Sequence, residues 1–316
     1  MEINEPKDLI NLKKYPVRNM LRFLLQDKTT KLNIIWATRS YEEFGEQYSE
    51  KQHMTEEAIL GFDSINVQPR VCKSSMQQAE RTKKKAEVFT PSWVCNKMNN
   101  HCDSEWFGEE GVFNTEIEQD WIVNNQTIEF KTKDAWKKYV DSKRLEITCG
   151  EAPYIVSRYD TSTGKTIKIN RRIGILDRKL RVINENTMTE EEWLHWVIRA
   201  YQSTYGYEFQ GDNLLIARIN LLITFVDYMK DKWKRVPRID ELRQVTNIIC
   251  WNIWQMDGIT GTIPYGQPAK TDNQLSLFDY VIEQEESEKQ TDYECRIFDW
   301  RNLNKSITYN SVKRGK

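Results

Sequence analysis

Apolar residues recur with a helical period through Met20, Leu21, Leu24 and Leu25, through Trp193, Val197 and Tyr201, along 213–228 and again along 240–255. Thr189 stands where a cap would, so 190–204 is expected to be a helix starting behind it. Thr90-Pro91 is a further start signal. Proline at the first helical position loses no needed donor and threonine can cap, and that helix is expected to reach about Asn100. A polar, basic helix is expected near 74–85. Short apolar runs bounded by turn residues predict strands at 33–37, 145–148 and 205–209. The run Leu145-Glu146-Ile147-Thr148-Cys149-Gly150-Glu151-Ala152-Pro153-Tyr154 reads as a buried strand, an acidic residue and a Cys-Gly turn, then a helix. Thr161-Ser162-Thr163-Gly164, with Ile167, Ile169 and Ile173 beyond it, predicts a β-hairpin over 160–175. Residues 105–140 read as a loop with short elements, 270–292 as a polar, acidic loop, and 295–300 and 306–312 as tail strands. There is no internal repeat.

Strands alternating with helices make this an α/β protein, with a mostly helical extension over 1–80 and a sheet-bearing domain over 81–316. The 316 residues, 39% of them hydrophobic, suffice for one large domain or two. A net charge of −1 gives no global basic field. Basic clusters at 81–85, 171–172, 178–181 and 230–238 are solvated faces or phosphate contacts. The six cysteines have no framework spacing and no secretory leader opens the chain, so reduced thiols and a cytoplasmic location are expected. Cys95, His101 and Cys102 lack the second pair that a zinc site needs, and no metal site is expected. No apolar run reaches membrane-spanning length.

Four segments together form one chemical constellation: Phe89-Thr90-Pro91 at a helix start, Glu146 with the Cys149-Gly150 turn, Glu208-Phe209 closing a strand, and Asp257-Gly258 after an apolar stretch. A glycine at the first turn lets backbone approach a ligand, and a carboxylate closing the second strand can accept from ribose hydroxyls. The third carboxylate can accept from an adenine amino group, and the first can pair with an ammonium. Phe89 or Phe209 can sandwich adenine or cover a cationic sulfonium. Taken singly, each has a plainer reading: a surface acid, a turn aspartate, a core cysteine. The three-glycine nicotinamide fingerprint, the Gly-x-Ser-x-Gly elbow and the Gly-Lys-Thr phosphate loop are all missing. Glu129-Phe130-Lys131 is a fragment of a metal-nuclease pattern, and such triplets are common.

In their order and spacing the segments resemble adenine-specific DNA methyltransferases of restriction–modification systems, of the restriction-endonuclease subunit M type. Glu87-Val88-Phe89-Thr90-Pro91 is similar to that family's amino-terminal cofactor motif, and 145–154 to its first strand motif, Asp-Pro-x-Cys-Gly-x-Gly. Here Glu146 replaces Asp, Ile147 replaces Pro, and Ala152 stands at the last Gly. Residues 205–221 resemble the second motif, with Glu208 in the ribose position and Ala217-Arg218-x-Asn220-Leu221 following; 252–257 resemble the third, with Asp257 in the adenine position. The resemblance spans roughly 80–260. It implies a partial Rossmann-like S-adenosylmethionine-dependent methyltransferase sheet that binds S-adenosylmethionine through Phe89, Thr90, Pro91, Glu146, Cys149, Gly150, Glu208, Phe209 and Asp257.

The family's Asn-Pro-Pro-Tyr loop, which grips a flipped adenine, is missing: the chain has eight prolines and no Pro-Pro pair. The resemblance therefore implies a split enzyme. No residue of this chain is expected to be catalytic, and a second polypeptide supplies the loop and target recognition on double-stranded DNA. The family sheet would then leave the strand near 144–148 a bare edge, to be covered by a partner strand or by the tail at 296–298. Rival readings are a non-catalytic scaffold or cofactor sensor, a methyltransferase acting on RNA or protein, and a generic nucleotide-binding protein.

Overall fold

The computed structural model describes residues 9–62, 64–73, 90–266 and 293–313. In chain order its elements are α1 (Val17–Leu24), α2 (Glu56–Leu60), α3 (Ser92–Phe107), β1 (Asn114–Ile117), β2 (Asp120–Val123), α4 (Ala135–Asp141), β3 (Arg144–Ile147), α5 (Ile175–Asn186), α6 (Glu190–Gln202), β4 (Thr204–Glu208), α7 (Gly211–Trp233), α8 (Ile239–Asn252), β5 (Ile253–Gln255), β6 (Arg296–Asp299), β7 (Lys305–Thr308) and α9 (Tyr309–Lys313). The protein is mixed α/β with small sheets. The central one is parallel, in the order β3-β4-β5, and β1-β2 and β6-β7 are separate antiparallel pairs. Among the described residues no helix is long and apolar enough to cross a membrane.

Helix α7 organises the core. It is apolar nearly all round and buried along most of its length, as a helix enclosed by others must be. Asp212 lies in its first turn and Lys230 and Lys232 in its last, each matching the helix dipole. Its first residue must be glycine, because a Cβ on Gly211 would lie 2.0 Å from the Ile35 carbonyl oxygen. One continuous hydrophobic cluster joins α1 and Trp36 to α5, α6, α7, α8 and Ile253, so residues 9–67 share their core with the sheet-bearing part.

A buried cation welds these parts. Arg218 on α7 donates to the carbonyls of Ile253 (2.8 Å) and Cys250 (3.4 Å) at the end of α8, and to those of Leu24 (2.5 Å) and Gln26 (3.0 Å) at the end of α1. Two helix C-termini supply the negative ends of their dipoles, which replaces a carboxylate partner. Two residues on, Asn220 donates to the Glu151 carbonyl and accepts from Arg158.

Several expectations hold. Helix α6 begins behind Thr189, whose hydroxyl accepts from the Glu192 amide. The tail forms β6 and β7. Others change. The helix expected from 240 to 255 stops at Asn252, and its last three residues become β5. The segment 33–37 makes isolated bridges only, because Ile35 hydrogen-bonds the Gln255 side chain instead of a strand. The hairpin over 160–175 is reduced to one bridge, Tyr159 to Thr166. The Asp160 side chain gathers the Ser162 and Thr163 amides into a tight turn there. No helix follows Gly150. The chain makes a single turn from Ala152 to Val156, with Ala152 left-handed (φ +65°) and Pro153 lacking a donor. The strand expected to be buried is exposed: Leu145 is 42% and Ile147 63% exposed, because β3 is the sheet's edge. The helix expected over 74–85 lies outside the described residues, as does most of 270–292.

Replacing Arg218 with methionine leaves its carbonyls buried without a donor. At about 1–3 kcal/mol for each such group, Arg218→Met is expected to lower stability by roughly 3 kcal/mol or more in equilibrium urea unfolding. A loss under about 1 kcal/mol would show that the clamp does not hold these elements together.

Candidate ligand site at the strand ends

Parallel pairing carries the last residues of β3, β4 and β5 to one end of the sheet, where a ligand of an open α/β sheet binds. Glu146 is on β3, Glu208 closes β4, and Asp257 follows β5 by two residues. The Cys149-Gly150 turn crosses the tip of β4: the Cys149 amide donates to the Tyr207 carbonyl (2.8 Å), and the Gly150 amide to Glu208 Oε2 (2.9 Å). Gly206 makes room beneath, since a Cβ there would lie 3.0 Å from that of Cys149. Gly150 is left-handed (φ +51°), and nothing among the described residues stands within 4 Å of where its Cβ would be. Its open side is a place for close backbone approach.

Glu146 is 8% exposed. Its Oε1 accepts a long bond from the Tyr154 amide (3.4 Å), and its Oε2 is buried without a partner. Burial pushes its pKa well above the usual carboxylate range; the Tyr154 and Ile155 amides oppose this and the Glu208 charge adds to it. Cys149 is pushed up too, by burial first and by the charges of Glu146 and Glu208 next, so it stays a thiol. Glu208 also accepts from the Gln210 amide (3.0 Å). Asp257 Oδ1 accepts from the amides of Ile259 (2.8 Å) and Thr260 (3.3 Å), which is a turn role. No hydrogen bond to its Oδ2 is formed among the described residues. Phe209 is half-buried, edge-on to Tyr265 with ring centroids 5.6 Å apart.

The start of α3 reaches the same place. Pro91 is the N-cap, and Thr90 does not cap. The cap comes from Asp160, whose Oδ2 accepts from the Ser92 amide (2.6 Å). The Thr90 carbonyl accepts from the Thr161 hydroxyl (2.8 Å). Tyr154 lies against Thr90 and Cys95, and both Tyr154 and Cys95 feel the Glu146 charge. The structure thus gathers Thr90, Pro91, Glu146, Cys149, Gly150 and Glu208 closely, with Phe209 and Asp257 at the far side. Phe89 lies outside the described residues.

Three contributors carried no role in the sequence. Tyr154 joins Glu146 to α3. Asp160 caps α3 from 68 residues away. Gln255 donates to both the Ile35 and Phe209 carbonyls, fixing the loop after β4. None of these pairings has a local sequence signal.

Other candidates dissolve. Cys95 is buried, while His101 is exposed beside Glu105, so they form no common site. Glu129-Phe130-Lys131 is not in a strand. The 81–85 cluster lies outside the described residues, and most arginines of the other basic clusters are paired: Arg171 with Asp120, Arg172 with Asp227, Arg178 with Asp103, Arg181 with Glu185, and Arg235 with Glu190 and Glu241. Lys179 is buried against Ser142 and Ser203. A cleft of about 320 Å³ opens elsewhere, between 9–13 and 59–72. On its rim the Cys72 thiol is pushed up to about 11 by burial and the Glu151 charge, which rules it out as a nucleophile at neutral pH.

A carboxyl whose pKa rises on folding binds its proton more tightly in the native state. Stability then falls as pH climbs from the ordinary carboxylate range towards the folded value. Glu146→Gln is expected to flatten this slope in urea unfolding followed from pH 5 to pH 8; an unaltered slope would assign it to other groups. Ala152→Gly is expected to add about 0.5–1 kcal/mol, because left-handed strain in alanine exceeds the extra unfolded-state entropy of glycine. A loss of stability would mean that the alanine methyl packs better than its backbone suffers.

No family model matches the chain, and no curated protein or solved structure matches it either.

Proposed function

We propose that this chain is the S-adenosylmethionine-binding part of an adenine-specific DNA methyltransferase of a restriction–modification system. Its sheet is then part of a Rossmann-like methyltransferase sheet, and the base-gripping Asn-Pro-Pro-Tyr loop and target recognition come from a partner polypeptide. The observation that carries the reading is the buried Oε2 of Glu146, without a partner among the described residues, on a parallel strand that leads into the left-handed Gly150 turn. A buried carboxylate oxygen without a donor is costly, and a ligand ammonium removes that cost.

The residues present fit such a donor. Glu146 would take the ammonium. Glu208, at the end of β4, would accept from the ribose hydroxyls. Asp257 Oδ2 would accept from the adenine amino group, with Phe209 beside the ring. S-adenosylmethionine supplies an electrophilic methyl group on a sulfonium. This chain's contribution is positioning: it holds that methyl in line with an incoming amine and keeps acceptors near the developing cation. Because most arginines of the basic clusters are paired inside the chain, DNA affinity falls mainly to the partner.

Titration calorimetry with S-adenosylmethionine tests the site, on the chain alone and with its partner. Glu208→Ala and Asp257→Ala are each expected to weaken binding by ~1–3 kcal/mol, or about 5- to 150-fold, the cost of an unsatisfied buried group. Unchanged affinity in both, or preference for another adenosine compound, would refute the assignment. Donor binding that yields no adenine methylation with the partner present would favour a cofactor-sensing scaffold.

A further inference from the structure

The open edge of β3 is a docking slot one strand wide. Arg144 donates its amide to the Ser203 carbonyl, so Arg144 and Glu146 spend their backbone groups on β4. The alternation of a parallel ladder then turns the N–H and C=O of Leu145 and Ile147 outward. No strand among the described residues pairs with them. Their side chains, exposed as noted above, continue the sheet face that carries Tyr205 and Tyr207.

The other face of the slot belongs to α3. This helix runs along β3 in the opposite sense: Cys95 near its start feels the Glu146 charge, and Trp106 near its end is stacked by Arg144 (5.9 Å). Met98, Cys102 and Trp106 follow at a spacing of four residues, which puts them on one stripe of that flank. Met98 is 52% and Trp106 44% exposed. Exposed apolar groups on a helix and an adjacent bare edge are together what an aggregation-prone sheet normally hides.

We propose that this slot takes a β-strand of a partner polypeptide, apolar on both faces and carrying acidic residues at one end. The double-sided apolar character follows from the α3 stripe above and Leu145 and Ile147 below, as for a buried parallel strand. The acidic end follows from Arg144, which opens β3, lies over Trp106 and forms no ion pair among the described residues, whereas Lys143 before it already feels the Asp299 charge. The chain's own tail is engaged elsewhere: β6 and β7 pair with each other, Phe298 packs on Trp251, and Tyr309 packs on Tyr207 and Trp254. Gly266 and Tyr293 both pack at Ile263, beyond β5, on the side of the sheet away from this edge. The inference deepens the preceding reading by saying where the partner sits, and rests on it only for the partner's identity.

Hydrogen exchange on the chain, alone and co-expressed with the polypeptide that carries Asn-Pro-Pro-Tyr, reads the slot directly. The Leu145 and Ile147 amides are expected to exchange freely in the isolated chain and about tenfold or more slowly in the complex. Ile147→Lys and Met98→Lys, both at exposed positions, are each expected to weaken the complex about tenfold or more with unchanged circular dichroism. The proposal is overturned if no complex forms, or if it forms without protecting these amides or is indifferent to both variants. Protection in the isolated chain would also overturn it: concentration-independent protection would assign the edge to another segment of this chain, and concentration-dependent protection to a second copy. Donor titration is a separate measurement, so failure of the slot leaves the donor site standing, and the reverse.

Discussion

A charged group held by backbone carbonyls alone sets the geometry on which the rest of this molecule depends. Arg218 is fully buried, and its partners are the carbonyl ends of α1 and α8 and the first residue of β5. Because β5 begins where α8 ends, fixing that junction fixes the third strand against α7. Gln255 then extends the control to the loop after β4. The alignment of strand ends, and with it any ligand chemistry there, is set by hydrogen bonds to main chain more than by contacts among the site residues.

The electrostatics of that end are one-sided. The Glu208 charge adds to the cost of ionising the buried Glu146. Arg172, Arg178, Arg181 and Arg235 meanwhile pair with Asp227, Asp103, Glu185 and Glu241. In the proposed reading, these acidic groups face a ligand that is itself cationic and rich in donors. The left-handed Gly150 and Ala152 give the loop between these acids its sharp path, and Pro153 stops it from winding into a helix.

The same sheet explains both what the chain can hold and what it leaves exposed. Three parallel strands have two edges. One adjoins the loop from 257 to 266 and the tail; the other is β3, which no further strand among the described residues pairs with. In the proposed reading, positioning of a donor and assembly with a partner use opposite aspects of one strand, with Glu146 turned in and Ile147 turned out.

The amino-acid sequence by itself determined the elements whose signals are local. Apolar periodicity gave α6, α7 and most of α8, Thr189 gave a cap, and alternation of strand and helix gave an α/β class, because each depends on residues within a few positions. It also placed Glu146 and Glu208 towards strand ends, and Gly150 and Asp257 in turns after strands. Tertiary structure decided the rest. That β3 is exposed where its composition says buried depends on which strands pair; its place at an edge was expected only from the family resemblance, and no local signal carries it. That Asp160 caps α3, that Gln255 replaces a ladder bond for Ile35, and that the 160–175 segment collapses into a turn depend on groups distant in sequence. Whether a basic cluster meets solvent or a buried aspartate cannot be read from charge order, since it is fixed by which helix faces meet.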